Sequence, residues 1–279
     1  MSVWQTIRLV ASRELAARRK GFAVVTGALT AVGLGGMALV AAVSESGPSA
    51  VVRGSEADEV IGFFTVVVLF VAIVFTGQVI MEGVAEEKRS RVVEVVLGTM
   101  IPRHLLTGKV AAIGLMGLTE IVVVVITVAG AGQALEVFEL PRATTLGLVA
   151  VIFWFVLGFT LYSALYAAAG AMVSPHENVA NGAVPINLVL AIPYLVGVTA
   201  AGAGDTVPLR ILSIFPLTAP LTMPLRAMRG FAEPWEIALS LALTVAAAYL
   251  LIRLAGSLYT GAVMRGGKVK WRAAWKSRT

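Results

Sequence analysis

The densest group of chemistry-bearing residues lies between positions 82 and 109, which hold Glu82, Glu86, Glu87, Lys88, Arg89, Arg91, Glu94, Arg103, His104 and Lys109. Neighbouring carboxylates such as Glu86 and Glu87 could activate a water molecule, and Arg91 is spaced to pair with Glu87 across one helical turn. Thr107-Gly108-Lys109 has the outline of a phosphate-cradling turn. That motif also needs a glycine at 103 and a hydroxyl residue after the lysine, and those positions are Arg103 and Val110, so no phosphate loop or magnesium ligand results. One more carboxylate, Glu120, stands alone inside an apolar run, where an ionisable group is a functional candidate by default. Two histidines and no cysteine exclude a disulfide framework, thiol catalysis and cysteine-based zinc or iron–sulfur sites. No Ser–His or paired-carboxylate arrangement falls within the apolar runs, so no catalytic residue and no metal site are assigned.

The elements that must carry these residues follow from composition. Of the chain's 279 residues, 58% are apolar and 14% charged, whereas soluble domains hold about 45–50% and about 25%. The excess falls in runs at 22–43, 60–81, 110–132 (interrupted only by Glu120), 143–173, 183–203 and 237–259. Each is long enough to cross a hydrocarbon core of roughly 30 Å, which takes about 20 helical residues. Strand-like alternation is absent, so the chain reads as an all-α integral membrane protein with six transmembrane helices. The run at 22–43 is longer than the apolar core of a signal peptide and reads as a retained span. Seventeen of the 22 Lys and Arg residues fall in 1–21, 82–109 and from 253 onward, all on one side of a six-span topology. Both termini are therefore expected in the cytoplasm. The net charge of +6 is a topology signal, not a nucleic-acid signal.

Residues 1–20 place Val3, Trp4, Ile7, Val10, Ala11 and Leu15 on one helical side and Arg8, Arg13, Arg19 and Lys20 on another, with Glu14 and Arg18 intruding on the apolar face. That pattern predicts an amphipathic interfacial helix ahead of the first span. The basic tail 260–279, with Trp271 and Trp275 among its lysines and arginines, fits an anionic inner leaflet. Between the fifth and sixth runs, 204–236 contains Pro208, Pro216, Pro220 and Pro224 and is expected as short re-entrant or surface helices at the outer side. Small residues recur at Gly27, Ala31 and Gly35, and at Ala164 with Ala168 and Ala167 with Ala171, as helix-packing or dimerisation stripes.

The 82–109 loop is charged in its first half and then apolar through Val92, Val93, Val95, Val96 and Leu97, with Pro102 closing it. Physically this is either a docking helix for a soluble partner or a solvated helix kept out of lipid by its charges. Gly83-Val84-Ala85-Glu86-Glu87-Lys88 with Arg91, then Glu94-Val95-Val96-Leu97 and Gly108-Lys109, resembles the cytoplasmic signature of ABC transporter permeases of the type-2 exporter class, NatB-like branch. Leu165 to Pro185, with Gly170, Val173-Ser174 and Asn178, and Ser213 to Arg226, with Pro216, Pro220 and Pro224, resemble two later segments of the same family. The resemblance implies a membrane permease of an ABC exporter. Its 82–109 loop would be the coupling helix, and Glu86, Glu87, Lys88, Arg91 and Glu94 would contact an ATPase. It further implies two P-loop ATPase subunits that carry the ATP and magnesium, and a second permease, identical or related. No cofactor would be bound by this chain, and its place would be a bacterial plasma (inner) membrane. Many such permeases carry a large extracellular domain between spans one and two, where this chain has only Ser44–Glu59.

Two other readings stand beside it. Glu120, with Asn187 between Pro185 and Pro193 in the fifth run, could serve a secondary transporter or channel pathway; equally, Glu120 could lock a helix interface by hydrogen bonding. Glu86-Glu87 with Arg91 also fits the pattern of CAAX-type intramembrane proteases. Those place histidine four residues after phenylalanine, and Met100 and Met172 precede the two histidines here.

Overall fold

A helix satisfies its own backbone N–H and C=O groups, which hydrocarbon cannot do, so long apolar runs fold as helices. The computed structural model describes residues 3–45, 54–89, 102–134, 142–173, 179–200 and 204–265, and among these it contains eight helices and no strand. They are α1 (Val3–Glu45), α2 (Gly54–Arg89), α3 (Pro102–Ala134), α4 (Arg142–Met172), α5 (Val179–Ala200), α6 (Val207–Ile214), α7 (Ala219–Met228) and α8 (Pro234–Arg265). Five of them, α2 to α5 and α8, hold an apolar stretch long enough to cross a membrane. The sixth expected crossing, 22–43, forms the second half of α1, where most side chains beyond Gly35 lie outside the described residues.

The stretch expected at the interface and the run at 22–43 lie on one helix, since α1 runs unbroken for 43 residues. Nothing in Val3–Glu45 breaks a helix, since it contains no proline, and the charges that intrude on its apolar face find partners on neighbouring helices, described below. The 82–109 segment likewise differs from a self-contained loop. α2 continues to Arg89 and α3 begins at Pro102, a residue suited to a helix start, so only 90–101 lies between them and outside the described residues.

α2 and α4 form the centre of the bundle, with α3 and α5 against α2, α1 along α3, and α8 against α4. Leu69, Ile73 and Ile80 of α2, Ile121 of α3 and Phe155, Tyr162 and Tyr166 of α4 make up much of the core. Lipid tails are as apolar as these side chains, so helix association rests on close packing more than on transfer out of solvent. The helices accordingly approach over glycine: a Cβ on Gly170 of α4 would stand 2.5 Å from the Met81 carbonyl oxygen of α2. Val24, Ile126, Leu188, Leu195 and Leu250 face outward, as a bilayer-facing surface requires.

The proline-rich stretch from 204 to 236 folds into α6, α7 and the first turn of α8. Prolines occupy the first turns of α6 and α7, where a missing N–H costs little. Residues Ala219 to Arg226 of α7 are all buried, enclosed by α2, α4, α5 and α6. Tyr162 of α4 donates to the carbonyl of Leu217 in the turn before α7, tying this segment to the central helix.

Candidate functional site

Three polar groupings interrupt the apolar bundle. The first closes the end from which 90–101 emerges. Lys109, two turns into α3, is almost fully buried, and an ammonium in that position is costly unless its donors are met. Its Nζ donates to Glu87 Oε1 at 2.6 Å and to the Gly83 carbonyl at 2.9 Å, both on α2, and lies 3.5 Å from Glu14 Oε1 on α1. Glu14 also accepts from Arg18 Nε at 3.0 Å, and Arg18 Nη1 lies 3.9 Å from Glu82. Gly83 makes this possible, because a Cβ there would stand 2.9 Å from the Lys109 side chain. The result is a clasp joining α1, α2 and α3 near the end of α2 and the beginning of α3.

The second grouping lies at the opposite, proline-rich end. Arg226 of α7 is fully buried. It donates from Nε and Nη2 to both carboxylate oxygens of Asp205 (2.8 and 3.0 Å), from Nη1 to Ser213 Oγ (2.8 Å) and from Nη2 to the Phe231 carbonyl (3.0 Å). The Nη2 atom also lies 2.9 Å from Glu236 Oε2. Glu236, at the third position of α8, accepts from its own helix start through the Glu233 N–H at 3.2 Å and pairs with Arg210 of α6. Burial works against the guanidinium charge, but the hydrogen bonds and charges of Asp205 and Glu236 outweigh it and hold its pKa above the ordinary arginine value. Ser240 of α8 donates to the Ser213 carbonyl at 2.7 Å, completing a neutral, hydrogen-bonded knot of α6, α7 and α8.

The third is Glu120, in the middle of α3. It is 2% exposed, and neither carboxylate oxygen has a hydrogen-bond partner among the described residues. It contributes to the wall of an open groove between α1 and α3, with a volume of ≈ 860 Å³.

The residues expected from sequence are therefore dispersed. Glu86 is exposed at the end of α2, whereas Glu87 is turned inward onto Lys109. The Lys88 side chain, and Arg91 and Glu94 altogether, lie outside the described residues. Asn187 of α5 is half-buried and its Oδ1 accepts from the Tyr166 hydroxyl of α4, a bond between helices. His104 and His176 have no described side-chain placement, and no group of metal-ligating side chains is found among the described residues. Sequence reasoning did not anticipate Lys109 and Glu14 as clasp residues, nor the set of Asp205, Arg210, Arg226 and Glu236. The one available signal was Glu14 and Arg18 sitting on an otherwise apolar face.

The profile of the ABC-2 family transporter proteins matches residues 37–256, which spans every helix from the end of α1 to α8. The chain belongs to the ABC-2 transporter family. This ABC-2 chain is 26% identical to the uncharacterized protein YhaP of Bacillus subtilis over 237 residues, covering 78% of this chain and 56% of YhaP. It is 29% identical to the uncharacterized protein MJ1024 of Methanocaldococcus jannaschii over 185 residues, covering 66% of this chain and 44% of that one. The ABC-2 chain thus spans about half the length of these curated relatives. No solved structure matches it.

Proposed function

We propose that this chain is the membrane-spanning permease of an ABC exporter, working with ATP hydrolysed by two separate P-loop ATPase subunits and with a second permease. In this reading six spans cross a bacterial plasma membrane, both termini are cytoplasmic, and the segment around 82–109 is the coupling element. The basic tail and the exposed basic residues Arg8, Arg13, Arg19 and Lys20 rest on anionic lipid.

The observation that carries the reading is the Lys109 clasp. Residues 90–101 follow Arg89 and precede Pro102 in the chain, and Lys109 binds α2 at Gly83 and Glu87 and α1 at Glu14. Force applied to that segment by a closing ATPase pair would thus move three helices together as a lever. Within this scheme Glu86 offers an exposed carboxylate to the partner, while Glu87 serves the clasp.

The experiment is co-purification with P-loop ATPase subunits from the native host, together with transport in vesicles. Glu86→Arg is expected to weaken ATPase capture with thermal stability unchanged. Lys109→Met keeps the apolar stem but removes the ammonium, and is expected to leave capture intact, cost about 2 kcal/mol of stability and uncouple transport from ATP hydrolysis. If no ATPase co-purifies, or if Glu86→Arg alters neither capture nor transport, the coupling assignment fails. The buried, unpartnered Glu120 favours a second reading, a secondary transporter. Transport that persists without ATPase, follows a proton gradient and is lost in Glu120→Gln would decide for it.

A further inference from the structure

The groove beside Glu120 is built mostly from α1 and α3. Leu15, Phe22, Ala23 and Leu34 of α1 and Leu115, Met116 and Val123 of α3 give it apolar walls, and Gly27 and Ala31 give it width. A Cβ on Gly27 would meet nothing within 4 Å, so this part of the small-residue stripe faces open space and not a neighbouring helix of this chain. α1 and α3 run parallel here: Glu14 is beside Lys109, and Gly33 is beside Val128. That register places Glu120 level with Val25 and Thr26, about 16 Å along α3 from the Lys109 clasp. Arg19 is the one cationic side chain among the groove-lining residues, and it is solvent-exposed at the clasp end.

A carboxyl group at mid-span with no partner is expensive to keep. The other charged side chains buried in this bundle are met: Lys109 by Glu87 and a carbonyl, Arg226 by Asp205 and Glu236, and Glu236 by two arginines. Glu120 alone among these is left over, and it is the one that borders an open groove. Its oxygens are covered in this conformation, so binding a ligand in the groove requires the side chain to turn toward it.

We propose that the groove between α1 and α3 binds a lipophilic organic cation, whose positive centre is neutralised by Glu120 and whose apolar body lies along the walls. Identifying that ligand as the exported substrate rests on the permease reading above; binding itself does not. A bare metal ion fits less well. It needs several oxygen ligands, and near Glu120 the groove offers only threonine hydroxyls, of which those of Thr26 and Thr119 already donate to carbonyls of their own helices. Apolar walls suit a cation that carries its own apolar surface, and the volume is within the usual range for small-molecule pockets, about 300–1,000 Å³.

The test uses the purified full chain in lipid nanodiscs, without any ATPase, so failure of ATPase coupling leaves it intact. A hydrophobic carbodiimide is added, and the Glu120 peptide is followed by mass spectrometry with tetraphenylphosphonium, neutral triphenylphosphine oxide or sodium chloride present. Tetraphenylphosphonium binding is measured in parallel by equilibrium dialysis. The expected result is labelling at Glu120 that tetraphenylphosphonium prevents and the other two do not, with binding about tenfold or more weaker in Glu120→Gln and largely kept in Glu120→Asp. Glu120→Gln removes an unpaired buried acid without changing size, so it is expected to fold with unchanged or higher thermal stability. Absence of labelling, equal protection by the neutral compound, protection by sodium, or equal binding to Glu120→Gln would each overturn the proposal. Loss of labelling only on dimerisation would overturn it too, and would identify a second copy as the occupant.

Discussion

Replacing Arg226 with methionine is expected to cost about 3–5 kcal/mol, the largest loss for any single polar change in the described structure, because it leaves a buried acid without its main partner. Glu236 has no exposure and would keep only Arg210, whose side chain is half in solvent, and the Glu233 N–H. Ser213 and the Phe231 carbonyl would lose a donor as well. Lysine is not a conservative replacement, since one ammonium cannot span Asp205 bidentately and still reach Ser213, Phe231 and Glu236. Asp205→Asn should cost much less, because Asp205 is partly exposed and can be hydrated. The check is unfolding of the purified chain in detergent. Arg226→Met combined with Glu236→Gln should recover part of the loss, so that the double variant loses less than the sum of the two single ones in a double-mutant cycle. A loss below about 1 kcal/mol for Arg226→Met would mean that the knot is solvated and contributes little, as surface pairs do.

Gly170→Val is expected to be the most damaging apolar change. The Cβ of any side chain at 170 meets the backbone of Met81, with its carbonyl oxygen at 2.5 Å and its carbonyl carbon at 3.2 Å. A backbone atom cannot rotate away, so α2 and α4, the central pair, must separate. Overpacking of this kind typically costs about 1–3 kcal/mol, and valine's two further methyl groups place this variant at the upper end. Gly35 supplies the contrast: it has open space around its Cβ position, so Gly35→Ala should leave stability unchanged or slightly raised. Equal melting temperatures for the Gly170 and Gly35 variants would show that the α2–α4 approach is looser than described.

What could be read from the residues alone depended on how local the physics is. Five long apolar helices were legible because about twenty apolar residues in series leave one solution in a bilayer. Glu120 was conspicuous because a single charge inside such a run cannot be hidden by its neighbours. The breaks around 204–236 followed from proline's missing N–H. The Arg226 knot was not legible: Asp205, Ser213, Phe231 and Glu236 are scattered along the chain, and only the folding-in of α7 brings them to one guanidinium. Asn187 stands out in its apolar run as an amide, but its partner Tyr166 sits on another helix and has the sequence context of an ordinary membrane aromatic. Glu14 and Arg18 were visible as flaws in an amphipathic face. Their purpose requires Lys109, which is distant in sequence and adjacent in space.

That distance has a consequence for how the protein is made. Glu14 leaves the ribosome about 95 residues before Lys109, and at roughly 5–20 residues per second the wait is about 5–20 s. During it, Glu14 has no ammonium from α3 to receive its carboxylate. Arg18, one turn further along the same helix, is synthesised almost at once and holds Glu14 at 3.0 Å even in the finished fold. Until α3 is made, Arg18 is the partner within reach of Glu14 on its own helix, one turn away. An Arg18→Ala chain should therefore show its defect first in insertion yield and only weakly in the stability of the molecules that complete their fold.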